Sequence, residues 1–351
     1  MPRFIAAILG VAIVAIAAGA QAQTPSPTPS PSQPVPAISV PLSAVPVKPD
    51  FGQWLADFET EAKGKGITDA TLVKALTGIQ PIDKVLDFDR RQPEFTLTLD
   101  AYLAHTVTPE RIAKGKALYA QHRKVLLAVQ KKYKVPAKYV VALWGIESGF
   151  GAAMGGYPVV PALATLAYDG RRSQYFRTEL LNALQIVDRG ATPQQMTGSW
   201  AGAMGQCQFM PSAYLKYAQR WQGDGPPDIW ANPDDVFASA ANYLATVGWD
   251  EHQSWGRPVR LTAHVDDALI GPGVKKTVAE WARLGLRQAD GKPLPRSAIM
   301  ASLVRADPGR DKTNTGPPFL IYDNFRTLLN WNRSIFFAVA AGTLADSIAS
   351  R

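Results

Sequence analysis

From Asp50 onward, apolar residues recur with the period of a helix. Phe51, Trp54, Leu55 and Phe58 fall on one face, with Asp50 placed to cap it. Thr68 opens a second, shorter helix carrying Leu72, Ala75 and Leu76, which Gly78 ends. Thr108-Pro109 opens a long helix that turns Ile112, Leu118, Val125, Leu126, Val129 and Tyr133 inward. Pro136 suits the first helical position, and the apolar run Tyr139–Ile146 then reads as a buried helix stopped by Gly149 and Gly151. Two further helices follow, Ser173–Arg189 (Phe176, Leu180, Ala183, Leu184 and Val187 inward) and one starting at Asp234 or Asp235 with Val236, Ala240, Tyr243 and Leu244. Gly190 and Gly248 close them, and Ser334–Ile348 is again helical.

Between about 256 and 325 the period changes. Segments 257–265, 299–305 and 319–322 read as strands separated by Gly/Pro/Asp turns, with a short helix at 278–284 among them. The expected fold is therefore α+β and mostly α-helical. A helical body over about 50–255 and 326–351 carries a small β-containing insertion at about 256–325. The chain's 351 residues, 46% of them apolar, are ample for such a core.

The first 49 residues read differently. Arg3, the apolar stretch Ile5–Gly19 and Ala20-Gln-Ala22 have the layout of a secretory signal peptide over residues 1–22. Residues 23–49, rich in Thr, Pro, Ser and Val, cannot bury a core and read as an extended linker. No segment after residue 22 reaches the length of a membrane span, so a periplasmic protein without an integral membrane segment is expected after cleavage. No cysteine lies near the cleavage site, so a lipid anchor has no support. Cys207 is the only cysteine and can form no internal disulfide; a lone cysteine of this kind behaves as a small buried hydrophobe.

With 37 basic against 29 acidic residues the net charge is +8, which favours anionic surroundings. Nucleic acid is not expected, because there is no Lys/Arg block and no finger or RNA-binding signature. The four histidines, His105, His122, His252 and His264, show no metal-ligand spacing and no protease context for Cys207.

Two stretches carry candidate chemistry. In Trp144-Gly-Ile-Glu-Ser-Gly-Phe-Gly151, Glu147 sits at the C-terminal end of an apolar helix. Burial and the negative end of the helix dipole both disfavour its charged form, which suits a general acid. A glutamate at a helix end that simply faces solvent is the plainer reading, and the helix alone does not separate the two. The second stretch is Gly198-Ser-Trp-Ala-Gly-Ala-Met-Gly-Gln-Cys-Gln-Phe-Met-Pro-Ser-Ala-Tyr214. Gln206 and Gln208 can donate and accept toward sugar hydroxyl and acetamido groups, and Trp200, Phe209 and Tyr214 can stack on sugar faces. A phosphate cradle lacks its Gly-Lys-Ser/Thr; a plain core turn remains open.

Trp144-Gly-Ile-Glu147, Leu163-Ala-Thr-Leu166, Arg171-Arg172 with Tyr175-Phe176, Gly198–Gly205 with Gln208–Ser212, and Ala241-Asn-Tyr243 occur in that order. Together they resemble the lytic murein transglycosylases of the membrane-bound B type, over about residue 50 to the C-terminus. The resemblance implies a lysozyme-like core and a partner in the glycan strands of peptidoglycan. It implies non-hydrolytic cleavage of the MurNAc-β-1,4-GlcNAc bond, in which the muramyl C6 hydroxyl attacks C1 and leaves a 1,6-anhydro end. The family's one catalytic glutamate maps onto Glu147, first as general acid and then as general base. Ser199 matches an acetamido-orienting hydroxyl and Gln208 a sugar-binding amide. Tyr102 and Tyr243 match cleft tyrosines, and Arg171 and Arg172 a substrate-facing basic pair. Asn324-Phe325 and Asn330-Trp331-Asn332 match a cleft-closing loop, with Trp331 and Phe337 standing where tyrosines are common in the family. Some members carry an EF-hand-type calcium loop in the segment matching Arg220–Asp228. Here Arg220 and Gln222 take ligand positions, so no metal and no cofactor is expected. A hydrolytic muramidase on the same fold and a non-catalytic peptidoglycan-binding protein are the alternatives; Asp169 or Glu179 would be the second carboxylate a hydrolase needs.

Overall fold

The computed structural model describes residues 49–90, 97–306 and 316–350. The signal-peptide reading and nearly all of the linker lie outside these residues. Fourteen α-helices and seven strands occur among the described residues. The first four helices are α1 (Phe51–Gly64), α2 (Asp69–Leu76), α3 (Asp83–Arg90) and α4 (Leu99–Thr106). Asp50, Thr68 and Thr98 cap α1, α2 and α4 by accepting from the backbone N–H three residues on. Next come α5 (Pro109–Gln121), α6 (Arg123–Tyr133), α7 (Ala137–Ser148), β1 (Tyr157–Pro158), α8 (Val159–Asp169), α9 (Ser173–Asp188), β2 (Thr197–Gly198), α10 (Pro211–Tyr217) and α11 (Pro233–Thr246). The remainder is β3 (Gly256–Leu261), β4 (Lys276–Thr277), α12 (Val278–Arg283), β5 (Leu286–Gln288), β6 (Met300–Arg305), β7 (Pro318–Ile321), α13 (Asp323–Trp331) and α14 (Ile335–Ala349).

Ten of the twelve residues of α7 are buried, because α5, α6, α11 and α14 all pack on it. That explains an apolar run without amphipathic stripe. The two residues left over are its one lysine and its one carboxylic acid: Lys138, which pairs with Asp346 of α14 at 2.6 Å, and Glu147. Each fully buried Leu, Val or Ile side chain of this helix contributes about 1.5–3 kcal/mol, so the helix tolerates one costly carboxyl at its end.

The single long helix expected from Thr108 is instead two. The chain breaks at His122 (φ −96°, ψ 14°), whose ring packs edge-on against Trp144 and Phe237 at centroid distances of 6.0 and 5.3 Å. The apolar period runs through the break, so the pattern alone does not reveal it. The expected cleft-closing loop around Asn324 is the helix α13. Asn324 itself is buried, donating to the carbonyls of Asp250 and Gln253 and accepting from the Asp250 N–H. Phe337 is buried in the core on α14.

The five-stranded sheet is antiparallel throughout, in the order β4-β6-β7-β3-β5. Alternation along β7 splits its two faces: Phe319 and Ile321 join the helical core, while Leu320 joins a smaller core with Val259, Trp281 and Leu303. Trp255 ties the sheet to the helices. Its carbonyl accepts from Tyr322 N–H (3.1 Å), its indole N–H donates to Asp346 (2.9 Å), and its ring lies over Gly342 of α14.

A Cβ at Gly342 would stand 2.2 Å from the Trp255 ring. Gly-to-Ala inside a helix ordinarily gains about 1 kcal/mol. Here Gly342→Ala is expected to cost about 1–3 kcal/mol through overpacking, read as a lower urea midpoint; an unchanged or higher midpoint would show that the indole can move aside.

Candidate active site

Glu147 lies in the last turn of α7. Gly149 ends the helix in the left-handed region (φ 59°), and Phe150 N–H donates back to Trp144 carbonyl at 3.1 Å, so the chain reverses directly after the carboxyl. The residue keeps partial solvent access. Enclosure by protein nevertheless dominates and pushes its carboxyl up to about 7 from an ordinary 4.5, while a hydrogen bond from Trp331 pulls the other way. That bond runs from the indole Nε1–H to Oε1 at 2.7 Å and bridges 184 residues of sequence. The rise owes nothing to a neighbouring carboxylate charge.

Around this pair stand three aromatic rings. Trp331 packs against Phe209 and Tyr243 at 5.2 and 4.8 Å, and the Tyr243 hydroxyl donates to the Asn330 carbonyl at 2.6 Å. Burial pushes the Tyr243 phenol up to about 12. Tyr102 reaches the site from α4: burial first, and the charge of Glu147 second, raise its phenol. Cys207 is buried beside Glu147, and the same two causes in the same order push its thiol up. A protonated, enclosed thiol is no nucleophile.

The glycine-rich stretch folds back on itself through bridges between Gly198 and Met204 and between Met204 and Phe209. It is seated against the segment leaving α7. Gly155 has φ 89°, and a Cβ there would meet the Gly198 carbonyl at 2.1 Å, so only glycine permits this approach. Gln206 is structural: it accepts from the Trp144 indole (2.7 Å) and donates to the Trp230 carbonyl (2.8 Å). Gln208, with φ 50°, spends its amide N–H groups on the carbonyls of Met154 and Gly205. Its Oε1 accepts from no group among the described residues and can take a ligand N–H or O–H. The Ser199 hydroxyl oxygen accepts from Ala203 N–H, which leaves its own proton to donate.

Other expected site residues are engaged elsewhere. Arg171 and Arg172 both bind Asp89 of α3, a buried carboxylate; Arg171 remains half exposed, and Arg172 also lies over the Phe176 ring. Asn332 accepts from the Ser334 N–H that starts α14. Glu179 takes two hydrogen bonds from Ser212, and Asp169 pairs with Arg90, so both candidate second carboxylates serve structure. Asp89 carried no signal in the sequence, since its partners lie more than 80 residues away. The Trp331 bond to Glu147 was equally hidden; only the aromatic character of position 331 was legible.

In the 220–235 segment Asp235 is fully buried. It accepts from the Arg220 guanidinium (2.9 Å) and from the N–H groups of Trp221 (2.8 Å) and Asp228 (2.7 Å).

Residues 50–346 match a family model described as the transglycosylase SLT domain. The membrane-bound lytic murein transglycosylase B of Escherichia coli (strain K12) is 33% identical over 253 residues, 71% of this chain; the chain spans 66% of the length of that curated relative. SltB3 from Pseudomonas aeruginosa in complex with NAG-NAM-pentapeptide superposes with a TM-score of 0.81 at 43% identity, over 86% of this chain and 80% of that one. Its complex with NAG-anhNAM-pentapeptide gives 0.80 at 42%, over 85% and 79%. The Escherichia coli lytic transglycosylase Slt35 in complex with calcium gives 0.70 at 30%, over 84% and 92%. The mostly helical, lysozyme-like α+β architecture expected from the sequence is the one these structures share.

The raised carboxyl also makes a stability statement. Between about 4.5 and 7 the folded chain holds the Glu147 proton more tightly than the unfolded chain does. Stability therefore falls as pH rises through that window and levels off above it. Glu147→Gln removes the penalty. At about pH 8 it should be more stable than the parent by of order 1–3 kcal/mol, and near pH 4 the two should coincide. Equal thermal midpoints at both pH values would mean the carboxyl ionises normally.

Proposed function

The chain belongs to the transglycosylase SLT domain family, and from that premise we propose that it cleaves the MurNAc-β-1,4-GlcNAc bond of peptidoglycan without consuming water. One observation carries the reading: a carboxyl held near neutrality by burial, whose raised proton affinity owes nothing to a neighbouring carboxylate charge and whose side-chain hydrogen bond among the described residues comes from Trp331. Hydrolytic glycosidases of the common kinds use two carboxyl groups about 5–5.5 Å apart for retention, or about 6.5–9.5 Å apart for inversion. With one, the substrate must supply the second function. The acetamido group stabilises C1, and the C6 hydroxyl attacks it. Glu147, protonated near pH 7, gives its proton to the departing GlcNAc oxygen. As carboxylate it then takes the C6 hydroxyl proton, which restores the acid and closes the 1,6-anhydro ring.

The relatives support this substrate. SltB3 was solved with NAG-NAM-pentapeptide and with its anhydro counterpart, the two sides of such a reaction. In this chain the Ser199 hydroxyl and the Gln208 Oε1 are the groups placed to bind the acetamido group and a sugar hydroxyl. Tyr102 and Tyr243 line the same site, and Arg171 offers its exposed side to the carboxylates of the peptide stems. The signal-peptide pattern of residues 1–22 supports export to the periplasm, where this polymer lies. No helix among the described residues is long and apolar enough to cross a membrane.

Calcium does not fit the segment that would hold it. The Asp235 carboxylate accepts from three N–H donors, one of them the Arg220 guanidinium, and a permanent cation there repels a second. Neither chelator nor millimolar calcium is expected to move the thermal midpoint; a drop with chelator would reveal a site elsewhere.

Digestion of murein in oxygen-18 water, followed by mass spectrometry, tests the reaction. Anhydro ends without label are expected, and none from Glu147→Gln, which should still bind glycan. Labelled reducing ends would make the protein a hydrolase. Full activity of the Gln variant would move the acid to another residue.

A further inference from the structure

Trp331 is the residue whose position exceeds what a sugar-stacking role requires. Its Nε1–H points at Oε1 of the carboxyl, not into open space. An indole N–H can donate but never accept. Oε1 therefore acts as acceptor whether Glu147 is ionised or neutral, and because a carbonyl oxygen accepts better than a carboxyl's hydroxyl oxygen, the bond favours the proton on Oε2. A tyrosine hydroxyl at this position could donate or accept, and would leave the proton free to occupy either oxygen.

The indole is itself fixed. Phe209 and Tyr243 hold its ring, Tyr217 packs at a tilt against Tyr243 at 4.4 Å, and the Tyr243 hydroxyl tethers the Asn330 carbonyl one residue before it. Upstream, α13 is anchored by Phe325 and Leu328, both fully buried. The carboxyl is thus oriented from α11 through α13, elements far from α7 in sequence.

The geometry points to Trp331 as a positioning residue, backed by Tyr243, that assigns Oε1 of Glu147 to a permanent hydrogen bond and Oε2 to both proton transfers. This rests on Glu147 being the acid–base group. Oε2–H protonates the leaving GlcNAc oxygen as the C1–O bond breaks. The same Oε2 then receives the C6 hydroxyl proton as the new C1–O bond forms, so the catalyst ends as it began. The other ionisable groups facing Glu147 are Tyr102 of α4, with Arg111 of α5 behind it, and Cys207 of the glycine-rich stretch. Lys114 of α5 donates to the Gly149 carbonyl just past the helix end. None of these donates to the carboxyl among the described residues.

The test is the pH dependence of kcat and KM on isolated murein for Trp331→Phe, which keeps a ring and removes the N–H. Removing a donor to the carboxylate should raise the alkaline limb by about half a unit to one unit. Loss of orientation should lower kcat by about 10- to 100-fold, with KM within about threefold and anhydro products retained. Trp331→Tyr, which can still donate, should recover most of kcat. Tyr243→Phe, which removes only the tether, should shift both quantities the same way by less, and it carries the test if Trp331→Phe does not fold. An unmoved limb, or a change confined to KM, would overturn the assignment and return Trp331 to sugar stacking. Failure of the Glu147 reading itself would look different: labelled reducing ends from the parent enzyme, or an active Glu147→Gln.

Discussion

The constraint on which this molecule rests is a carboxyl at the end of a helix that is otherwise buried on every side. Four helices close around α7, and the apolar side chains they enclose supply enough free energy to hold Glu147 where water would not leave it neutral. Chain reversal at Gly149 brings the glycine-rich stretch under the same carboxyl, and the aromatic end of α13 covers it from the opposite part of the sequence. Each of these elements would be ordinary elsewhere. Together they raise the carboxyl's proton affinity by enclosure and limit that rise by one directed hydrogen bond.

Buried polar groups around the site divide into two kinds. In Gln206, Asp89, Glu179, Asp235 and Asn324 every polar side-chain atom has a partner distant in sequence. Breaking any of them leaves a desolvated group unpaired, so they brace the scaffold. Ser199 and Gln208 differ: each uses part of its capacity to hold the loop, Ser199 keeping its hydroxyl proton and Gln208 its Oε1. Gln206 and Gln208, two residues apart and of identical chemistry, differ in this way: Gln206 has a partner on both its amide atoms, while the Oε1 of Gln208 has none among the described residues.

The 220–235 segment is closed by groups of the chain itself. The guanidinium of Arg220 and two backbone N–H groups neutralise Asp235 from within the chain. The planar donors of the guanidinium match a carboxylate.

Much was legible in the sequence because it depends on local rules. Helix periods, the caps at Asp50 and Thr68, the switch to strand alternation near residue 256, and the glutamate on an apolar helix end all follow from neighbours within a few positions. What stayed hidden depended on partners brought together only by folding. The break at His122 comes from rings of α7 and α11, α8 is apolar on all sides and shows no period, and the pairing of both arginines with Asp89 crosses more than 80 residues. The sequence identified position 331 as aromatic and near the cleft, but a side chain's hydrogen-bond partner is not a local property. Only the tertiary structure decided that the indole N–H of Trp331 meets Glu147, because that contact requires α13 and α7 to be packed by a core assembled from the whole chain.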